Sequence, residues 1–415
     1  MKPIIHILCM LLLCYHSFAK TINVGKQHAF ASITQALNAA SNGDSIIVHA
    51  GIYKEGNIVI NKTIYLKGIN YPVIDGQKKY EAITIKANDV SVEGFKIINT
   101  GSTSTEDIAG IKLAGVKGVI VRNNILDNTN FGIYVLGSTK SLVEKNKITS
   151  YGKVEQSSGN GIHCWKSDSM KIIGNTINGH RDGIYFEFVT NSIIWRNNSQ
   201  KNLRYGLHFM FSNNDTYISN IFKNNGAGVA VMYSYNVTMI HNYFSDNWGD
   251  AAYGLLLKEI RDSYIDGNSF ERNTSGIYME GASRIQLVKN NFRNNGWGMK
   301  MQANCMDLVV EKCNFIANTF DVSTNGTLVL NKFDGNYWDK YDGYDLNKDK
   351  IGDVPYRPVS MYSMIVEQNP PAMILFRSFI TTLLDKTEKV LPSITPENLK
   401  DEFPLMKPAG YDHRK

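Results

Sequence analysis

One short pattern returns about every 22 residues through the middle of the chain, and it restricts the fold more than any other feature. Each copy begins with Gly, and the residues after it alternate between apolar and other side chains. The copies are Gly132-Ile133-Tyr134-Val135, Gly161-Ile162-His163-Cys164, Gly183-Ile184-Tyr185-Phe186, Gly206-Leu207-His208-Phe209, Gly228-Val229-Ala230-Val231, Gly254-Leu255-Leu256-Leu257, Gly276-Ile277-Tyr278-Met279 and Gly298-Met299-Lys300-Met301. Such short units cannot bury their apolar sides alone, so neighbouring copies have to stack.

The alternation has a period of two residues, which is typical of strands rather than helices. Coils of this length with two or three short strands each predict an all-β fold, a right-handed parallel β-helix. Residues one and three positions after each Gly are predicted to point inward, and those two and four positions after it outward. The inward column one position after Gly is apolar throughout: Ile133, Ile162, Ile184, Leu207, Val229, Leu255, Ile277 and Met299.

A second column keeps step with the glycines and consists of Asn followed two residues later by Ile or Phe. Its predicted members are Asn123, Asn146, Asn175, Asn220, Asn242, Asn268 and Asn290, with Asn197 in phase. We expect them to form a ladder of side-chain amides inside a turn. Cys313 falls on the next rung, and we interpret it as a structural substitution rather than a reactive thiol.

The two ends of the chain differ from the repeats. Residues 1–19 contain a short apolar stretch before Ala19, which predicts a signal peptide and an exported protein. Residues 20–44 are predicted to form an N-terminal cap with a helix, residues 45–340 the β-helix, and residues 341–369 a closing loop. Residues 370–415 are predicted to form a C-terminal helix and tail, with the helix too short to cross a bilayer. That helix either packs along the β-helix or docks onto a membrane partner.

Composition excludes two classes of protein. The three cysteines left after cleavage, Cys164, Cys305 and Cys313, are too few and odd in number for a disulfide framework. The formal net charge of +6 is spread among Asn and Ser rather than concentrated, so we expect no nucleic-acid partner.

The outward columns bring together sulfur and nitrogen side chains. Met210 and Met232 are predicted neighbours on consecutive coils, and His208 lies beside Met210 on the same strand. Thioether and imidazole groups together suit Cu(I), so the three residues are a candidate copper site. In the alternative interpretation, the methionines only fill an apolar patch beside Phe188, Phe211 and Tyr233.

His163 lies two coils from His208, or about 10 Å at the usual strand spacing. This is too far for the two imidazoles to share one ion, so we expect His163 to belong to a row of aromatic side chains.

A second candidate metal site lies after the last coil. Asp345, Asn347, Asp349 and Asp353 offer oxygen atoms at alternate positions, as in a calcium-binding loop. Lys350 stands where such loops usually carry Gly, and the alternative is an Asx-rich turn that closes the last coil.

Two segments make the chain resemble a known family. The strand Arg204-Tyr205-Gly206-Leu207-His208-Phe209-Met210-Phe211 is one, and the stretch from Gly335-Asn336-Tyr337-Trp338-Asp339 to Asp353-Val354-Pro355-Tyr356-Arg357-Pro358 is the other. In these segments, and along nearly the whole chain after residue 19, the sequence is similar to the NosD family of periplasmic β-helix proteins of nitrous oxide reductase maturation.

The resemblance implies a role in the periplasm rather than a catalysed reaction. Members of that family work with an ABC-type permease and its ATPase, and with a copper-chaperone lipoprotein. They help deliver copper, transiently held and expected as Cu(I), to apo nitrous oxide reductase. Docking onto the permease would then involve Phe376, Phe379 and Leu383 of the apolar C-terminal helix.

A carbohydrate-active β-helix enzyme, such as a polyuronate lyase, hydrolase or epimerase, is the alternative function. Such enzymes need carboxylates with Arg or Lys clustered on one face. The candidates are Asp182, Glu187, Arg204, Lys258 and Glu280, which their columns place several coils apart. A structural or adhesive surface protein is a third possibility, weakened by the two specific segments.

Overall fold

The computed structural model describes residues 19–103, 105–326, 330–390 and 399–410. The predicted signal peptide lies outside the described residues except for its last position, Ala19. Within the described ranges, no helix is both long and apolar enough to cross a membrane.

The described strands form a parallel β-helix of three sheets, which confirms the predicted fold class. In each sheet the described strands follow one another in chain order, and neighbouring strands pair in parallel. Sheet 1 has 14 described strands, sheet 2 has 12 and sheet 3 has 13. One coil contributes a strand to sheet 2, then to sheet 1, then to sheet 3.

The strands have the following bounds. Sheet 1 contains Thr21–Val24, Ser45–Val48, Tyr65–Gly68, Ser91–Glu93, Ile120–Arg122, Leu142–Glu144, Lys171–Ile173, Ile193–Trp195, Thr216–Ile218, Thr238–Ile240, Arg261–Asp266, Ser283–Val288, Val309–Glu311 and Lys332–Asp334. Sheet 2 contains Ile58–Ile60, Ile83–Ile85, Ala109–Ala114, Phe131–Leu136, Ile162–Trp165, Ile184–Glu187, Tyr205–Met210, Ala227–Met232, Tyr253–Lys258, Ser275–Glu280, Trp297–Met301 and Phe320–Thr324. Sheet 3 contains Ile52–Tyr53, Val73–Asp75, Lys96–Ile98, Ile125–Asp127, Lys147–Thr149, Thr176–Asn178, Asn198–Gln200, Ile221–Lys223, Tyr243–Ser245, Ser269–Glu271, Asn291–Arg293, Asn314–Ile316 and Tyr337–Trp338.

The helices lie at the ends of the solenoid and in one insertion. The α-helices are α1 (Ile33–Ala39), α2 (Met361–Gln368) and α3 (Phe379–Val390), and the short 3₁₀ helices are Glu155–Ser157 and Pro370–Leu375. The predicted C-terminal helix therefore begins later than residue 370, and the predicted closing loop contains α2. The side chain of Ser360 accepts a hydrogen bond from the backbone N–H of Ser363, an N-cap that starts α2.

Helix α1 covers the N-terminal opening of the solenoid with Ile33, Ala36 and Leu37. The Glu55 carboxylate accepts the backbone N–H groups at its start, and Lys62 donates to the carbonyls of Leu37, Asn38 and Ala40 at its end. Both ends of a short helix are thereby satisfied. The predicted cap also contains the strand Thr21–Val24, which already pairs with Ser45–Val48 in sheet 1.

The register of sheet 2 follows the glycine column. The predicted inward residues from Ile133 to Met299 pair in sequence and are fully buried. Gly206 shows why this column needs glycine, because an added Cβ would lie 2.7 Å from the carbonyl oxygen of Gly228. Neighbouring coils approach too closely there for any side chain.

The amide ladder exists, with one correction. Asn124, not Asn123, is its first member, and its Nδ2 donates to Asn146 Oδ1 at 3.1 Å. Asn123 instead has a positive φ of 54° in the turn. Cys313 occupies the predicted rung: its thiol is fully buried, which raises its pKa to about 12. The sequence prediction missed a second buried ladder, formed by Asn202, Asn225, Asn247, Asn273, Asn295 and Asn318.

The C-terminal segment returns to close the first ladder. The buried carboxylate of Asp401 accepts hydrogen bonds from Asn336 Nδ2 at 3.0 Å and from Trp338 Nε1 at 3.0 Å. It also accepts the backbone N–H groups of Gly335 and Asn336. Asp401 is therefore the last rung of this ladder.

Candidate metal centre

The outer face of sheet 2 carries the residues that the sequence singled out. Two positions after each glycine, consecutive strands pair in one continuous column: Lys112, Tyr134, His163, Tyr185, His208, Ala230, Leu256, Tyr278 and Lys300. His208 is in the middle of this column, so its surroundings are set by the two strands on either side.

Met210 and Met232 are direct partners in neighbouring strands, and both side chains are half-buried on the outer face. Directly after them in the turn, Phe211 stacks on Tyr233 with ring centroids 5.1 Å apart. Phe188 continues the stack at 5.2 Å from Phe211. The thioethers therefore lie beside a partly exposed aromatic surface, as the apolar-patch interpretation also expects.

His208 lies on the outer face but is only 6% exposed. The rings of Tyr185 and Tyr205 lie on it, each with its centroid 4.8 Å from that of the imidazole. Its Nε2 atom is buried and has no hydrogen-bond partner. A buried nitrogen without a partner costs free energy, so it marks a position where a ligand would be stabilising.

The other ring nitrogen of His208 faces a buried ion pair. Asp182 accepts from Arg204 Nε at 2.8 Å and from Arg204 Nη2, and its Oδ2 lies 3.4 Å from His208 Nδ1. Burial alone would raise the pKa of Asp182, but the hydrogen bonds from Arg204 and His208 hold it below its usual value. A charged carboxylate therefore supports the imidazole from behind.

A loop inserted between two coils lies beside Arg204, near the middle of the column. Its 3₁₀ helix, Glu155–Ser157, places the Glu155 carboxylate 3.7 Å from Arg204 Nε and 3.8 Å from Arg181 Nε. Arg204 thus links the insertion to Asp182 and to His208, whose Nδ1 lies 3.3 Å from Arg204 Nη2.

His163 belongs to the expected aromatic row. Its ring packs edge-on between Tyr134 at 4.8 Å and Tyr185 at 4.7 Å. Burial lowers the pKa of His163 to about 3, so the ring stays neutral at physiological pH. Tyr185 separates it from His208.

The donor set fits a soft cation better than a hard one. The part of the chain that the structure describes contains no group of three or more His, Cys, Asp and Glu side chains able to hold a metal. The neutral thioethers of Met210 and Met232 with the free nitrogen of His208 make a different kind of set, of the type that Cu(I) accepts. Copper binding by these residues stays a prediction.

In the second candidate loop, the oxygen atoms already accept backbone hydrogen bonds. Asp345 accepts from the N–H of Lys350 at 2.9 Å, Asp349 from that of Ile351 at 2.8 Å, and Asp353 from that of Leu346 at 2.7 Å. Asn347 accepts from the N–H of Asp349 at 3.0 Å. These contacts make an Asx-rich turn, and calcium binding there also stays a prediction.

The C-terminal helices present an apolar surface to solvent. Phe376, Phe379 and Leu383 are 41%, 80% and 52% exposed, and Ile374 and Ile380 extend the surface. The other side of this region packs on the last strand of sheet 2, where Phe320 contacts Tyr362 at 5.7 Å. This region therefore rests on the β-helix while Phe379 and Leu383 face solvent. Phe376 is only partly available, because its ring also contacts Phe320 with centroids 6.3 Å apart.

The charged residues of the enzyme hypothesis are closer than the sequence predicted. Asp182 and Arg204 form an ion pair between adjacent coils, and Lys258 Nζ lies 3.2 Å from Glu280 Oε1. The prediction that they lie several coils apart was wrong for these two pairs. Asp182 and Arg204 precede the glycine and so lay outside the columns that were compared. Lys258 and Glu280 are consecutive members of the column four positions after glycine, so their contact was open to prediction and was overlooked.

Comparison with known proteins gives a family. Residues 146–343 match the family described as "Periplasmic copper-binding protein (NosD)", and residues 22–177 match "Right handed beta helix region". The "Probable ABC transporter binding protein NosD" of Pseudomonas aeruginosa is 28% identical over 94% of this chain and 95% of its own length. The protein of the same name from Stutzerimonas stutzeri is 28% identical over 86% of each chain.

Solved structures with this fold include a Family 28 exopolygalacturonase from Yersinia enterocolitica, with a TM-score of 0.55 and 11% identity over 76% of this chain and 78% of that one. The A-module of an Azotobacter vinelandii mannuronan C-5 epimerase has a TM-score of 0.51 and 16% identity over 73% of this chain and 89% of that one. These likenesses concern the fold alone. The sequence relatives span almost the whole chain, and together with the family match they confirm that this chain is similar to NosD proteins.

Proposed function

We propose that this chain is a periplasmic accessory protein that helps deliver copper to apo nitrous oxide reductase, working with an ABC-type permease and its ATPase. The description of the family as periplasmic and copper-binding supports the compartment and the cargo. The names of the two relatives, which include an ABC transporter, support the membrane partner.

The observation that carries the copper assignment is the arrangement on the outer face of sheet 2. Two thioethers lie on paired strands, and the buried Nε2 of His208 lacks a partner two positions before Met210. None of the three groups has to lose a proton to bind Cu(I) once the imidazole is neutral. The cargo therefore enters without the proton release that a thiolate site would need.

Ligand exchange accounts for delivery. A set of fewer than four protein ligands leaves a position open on Cu(I), through which a donor or acceptor group can attach before the next bond breaks. The copper-chaperone lipoprotein is the donor in this scheme, and the reductase is the acceptor. The half-buried thioethers give the incoming partner access from solvent.

The exposed apolar surface of α3 and the preceding turn is the proposed contact with the permease. Exposed Phe379 and Leu383 lie in the first half of the helix, and polar Lys386 and Thr387 lie in its second half, so the helix has one apolar and one polar region. Burying large apolar side chains of this kind contributes about 2 kcal/mol each to association before its costs.

The copper assignment is tested by competition for Cu(I) against a chromogenic chelator under anaerobic conditions. The double variant Met210→Leu/Met232→Leu keeps side-chain volume but removes both sulfur atoms. We expect it to weaken Cu(I) binding at least tenfold, or by about 1.4 kcal/mol. Met306→Leu is the matched control, because Met306 is exposed and lies away from this face. Unchanged binding in the double variant would remove these ligands.

The docking assignment is tested with the purified permease complex in detergent. Phe379→Asp/Leu383→Asp should reduce its affinity for the chain about 30-fold or more, as loss of apolar anchor residues does. Lys386→Glu, on the same helix, is the control and should change affinity much less. Equal binding by both variants contradicts this interface.

The carbohydrate hypothesis keeps one supporting observation. A cleft of about 400 Å³ between α2 and sheet 2 is lined by Tyr253, Tyr278, Trp297, Lys300 and Glu367, among other residues. Aromatic faces beside charged groups can bind sugars. Incubation of the full chain with polyuronates, followed by assay for unsaturated or reducing ends, decides this: reproducible turnover would favour an enzyme over copper delivery.

A further inference from the structure

The two histidines of the outer column have different neighbours at Nδ1. The neighbours of His208 Nδ1 are the Asp182 carboxylate, with Oδ2 at 3.4 Å, and Arg204 Nη2 at 3.3 Å. The neighbour of His163 Nδ1 is the Asn160 side chain, with Nδ2 at 3.4 Å. In a neutral imidazole only one nitrogen carries the proton, so these neighbours decide which one it is.

For His208, the proton belongs on Nδ1. The negatively charged Asp182 oxygen can only accept, and a lone pair on Nδ1 facing it would be repelled. The alternative, in which Nδ1 accepts from Arg204, would put an N–H on Nε2, which is buried without any partner. An orphaned buried donor costs about 1–3 kcal/mol. The Nδ1–H form leaves a lone pair on Nε2 instead.

For His163, the proton belongs on Nε2. The orientation of the Asn160 amide is set by the backbone, because its Oδ1 accepts from the N–H of Asp182 at 3.2 Å. Its Nδ2 group, a donor, is therefore the atom that faces His163 Nδ1, which has to accept. The Nε2 atom of His163, which is also buried without a partner, then carries a hydrogen and has no lone pair for a metal. This tautomer is still favoured, because the other one would set two donors, Nδ1–H and Asn160 Nδ2, against each other.

We propose that Asp182 is a positioning residue that keeps the proton of His208 on Nδ1 and Nε2 free for Cu(I), while Asn160 imposes the opposite tautomer on His163. The inference rests on the proposed copper site. It explains why only one of two buried, tyrosine-packed imidazoles on the same face is ready to bind metal. Metal-binding histidines commonly donate their second N–H to a carboxylate in this way.

Long-range ¹H–¹⁵N NMR of the full chain, labelled with ¹⁵N-histidine, reads the tautomers directly. The spectra are taken without metal at alkaline pH, where free imidazole is neutral. His208→Gln and His163→Gln assign the signals. We expect an Nδ1–H pattern for His208 and an Nε2–H pattern for His163. The same tautomer at both positions, or the reverse pair, overturns the inference.

Two variants exchange the amide and the carboxylate that face the two histidines. Their effects on tautomer and on Cu(I) affinity would not follow from a purely structural role. Asn160→Asp offers His163 a carboxylate acceptor and should convert it to the Nδ1–H form. Asp182→Asn should lower Cu(I) affinity about tenfold or more, the usual effect of removing such a support. Asp168→Asn, at a turn of another face, and His163→Gln should leave Cu(I) affinity unchanged.

The outcomes separate this inference from the proposed function. Expected tautomers in a chain that does not bind Cu(I) would contradict the copper site while leaving the proton assignment intact. Met-dependent Cu(I) binding with the proton of His208 on Nε2 would contradict the positioning role while leaving the copper site intact. Denaturant unfolding of Asp182→Asn shows whether its loss of affinity comes from a folded protein.

Discussion

The amide ladder inside the β-helix and the histidine–tyrosine row on its outer face arise from the same repeat, but their polar atoms differ in one respect. Asn242 donates to Tyr217 O and Asn268 Oδ1, and accepts from the N–H and Nδ2 of Asn220, at 2.9–3.0 Å. His208 has one ring nitrogen paired and the other unpaired. A column whose polar atoms all have hydrogen-bond partners stabilises the coil, whereas a polar atom without a partner offers a position for a ligand.

The largest loss of stability from a single substitution is expected inside the ladder. Asn242→Leu removes four hydrogen bonds and leaves several buried partners of Asn242 unpaired, which should lower the free energy of unfolding by about 4 kcal/mol. Thr238→Ala, on the half-buried outer side of sheet 1, should cost less than about 1 kcal/mol. Denaturant unfolding followed by circular dichroism measures both. Similar losses for both variants would contradict the special stability of the ladder.

Asp215 is an unpaired polar group in the interior rather than on the outer face. Its Oδ1 accepts from the Ser192 N–H at 2.8 Å, but its buried Oδ2 has no partner. Burial raises the pKa of Asp215 to about 8. A raised folded-state pKa means that its stabilising effect is complete below the unfolded pKa and is lost as pH rises through the folded value.

We therefore expect the free energy of unfolding to fall between about pH 4 and pH 8, by up to about 1.4 kcal/mol per pH unit from this group. In Asp215→Asn this contribution should disappear. The measurement is the denaturant midpoint at several pH values. Asp168→Asn serves as control, because side-chain hydrogen bonds from Ser169 and Asn191 lower the pKa of Asp168 instead. If Asp215→Asn keeps the pH dependence of stability seen in the wild type, the assignment of that dependence to Asp215 is wrong.

The end of the ladder should be weaker than its middle. In Asp401→Asn, one carboxylate oxygen becomes a donor that faces N–H groups of the last coil. We expect a loss of about 2 kcal/mol. Hydrogen exchange at Gly335 and Asn336 should increase while exchange at Asn242 stays slow. Equal acceleration at all three positions would show that the closing segment governs the whole solenoid.

The smallest change in the free energy of unfolding is expected at the insertion that contains the 3₁₀ helix Glu155–Ser157. The Glu155 side chain is 42% exposed, and its ion pairs with Arg181 and Arg204 are long. Glu155→Gln should therefore change the free energy of unfolding by no more than about 0.5 kcal/mol. Thermal or denaturant unfolding tests this. A loss above about 1 kcal/mol would show that the ion pairs of the insertion stabilise the fold as strongly as a buried hydrogen bond.

The repeat made much of the fold predictable. A strand period of two with a glycine at each close approach sets the inward and outward faces, so the pairing of Met210 with Met232 followed from counting. The same counting failed at Asn123 because Asn124 is adjacent, and a shift of one residue reverses the face of a side chain. The second ladder was open to detection: Asn202 and Asn225 each follow a member of the first ladder by five residues.

Features without a period were not predictable in this way. Asp401 contacts Trp338 from 63 residues further along the chain, and no local sequence pattern predicts such a contact. Helix α2 had only its N-cap, Ser360, as a signal. The pair of Asp182 and Arg204 precedes the glycines, so its link to His208 depends on how side chains cross between coils rather than on the columns after glycine.

The return of the chain at Asp401 has a mechanical consequence. The apolar helices α2 and α3 lie between two stems that both attach to the final coil, at Trp338 and at Asp401. A membrane partner that pulls on α3 would therefore load two sets of contacts at this end, the hydrogen bonds of the Asp401 carboxylate and the packing of Tyr362 on Phe320. Movement in the bilayer would be transmitted to the solenoid as strain on its terminal coil, not as bending along its length.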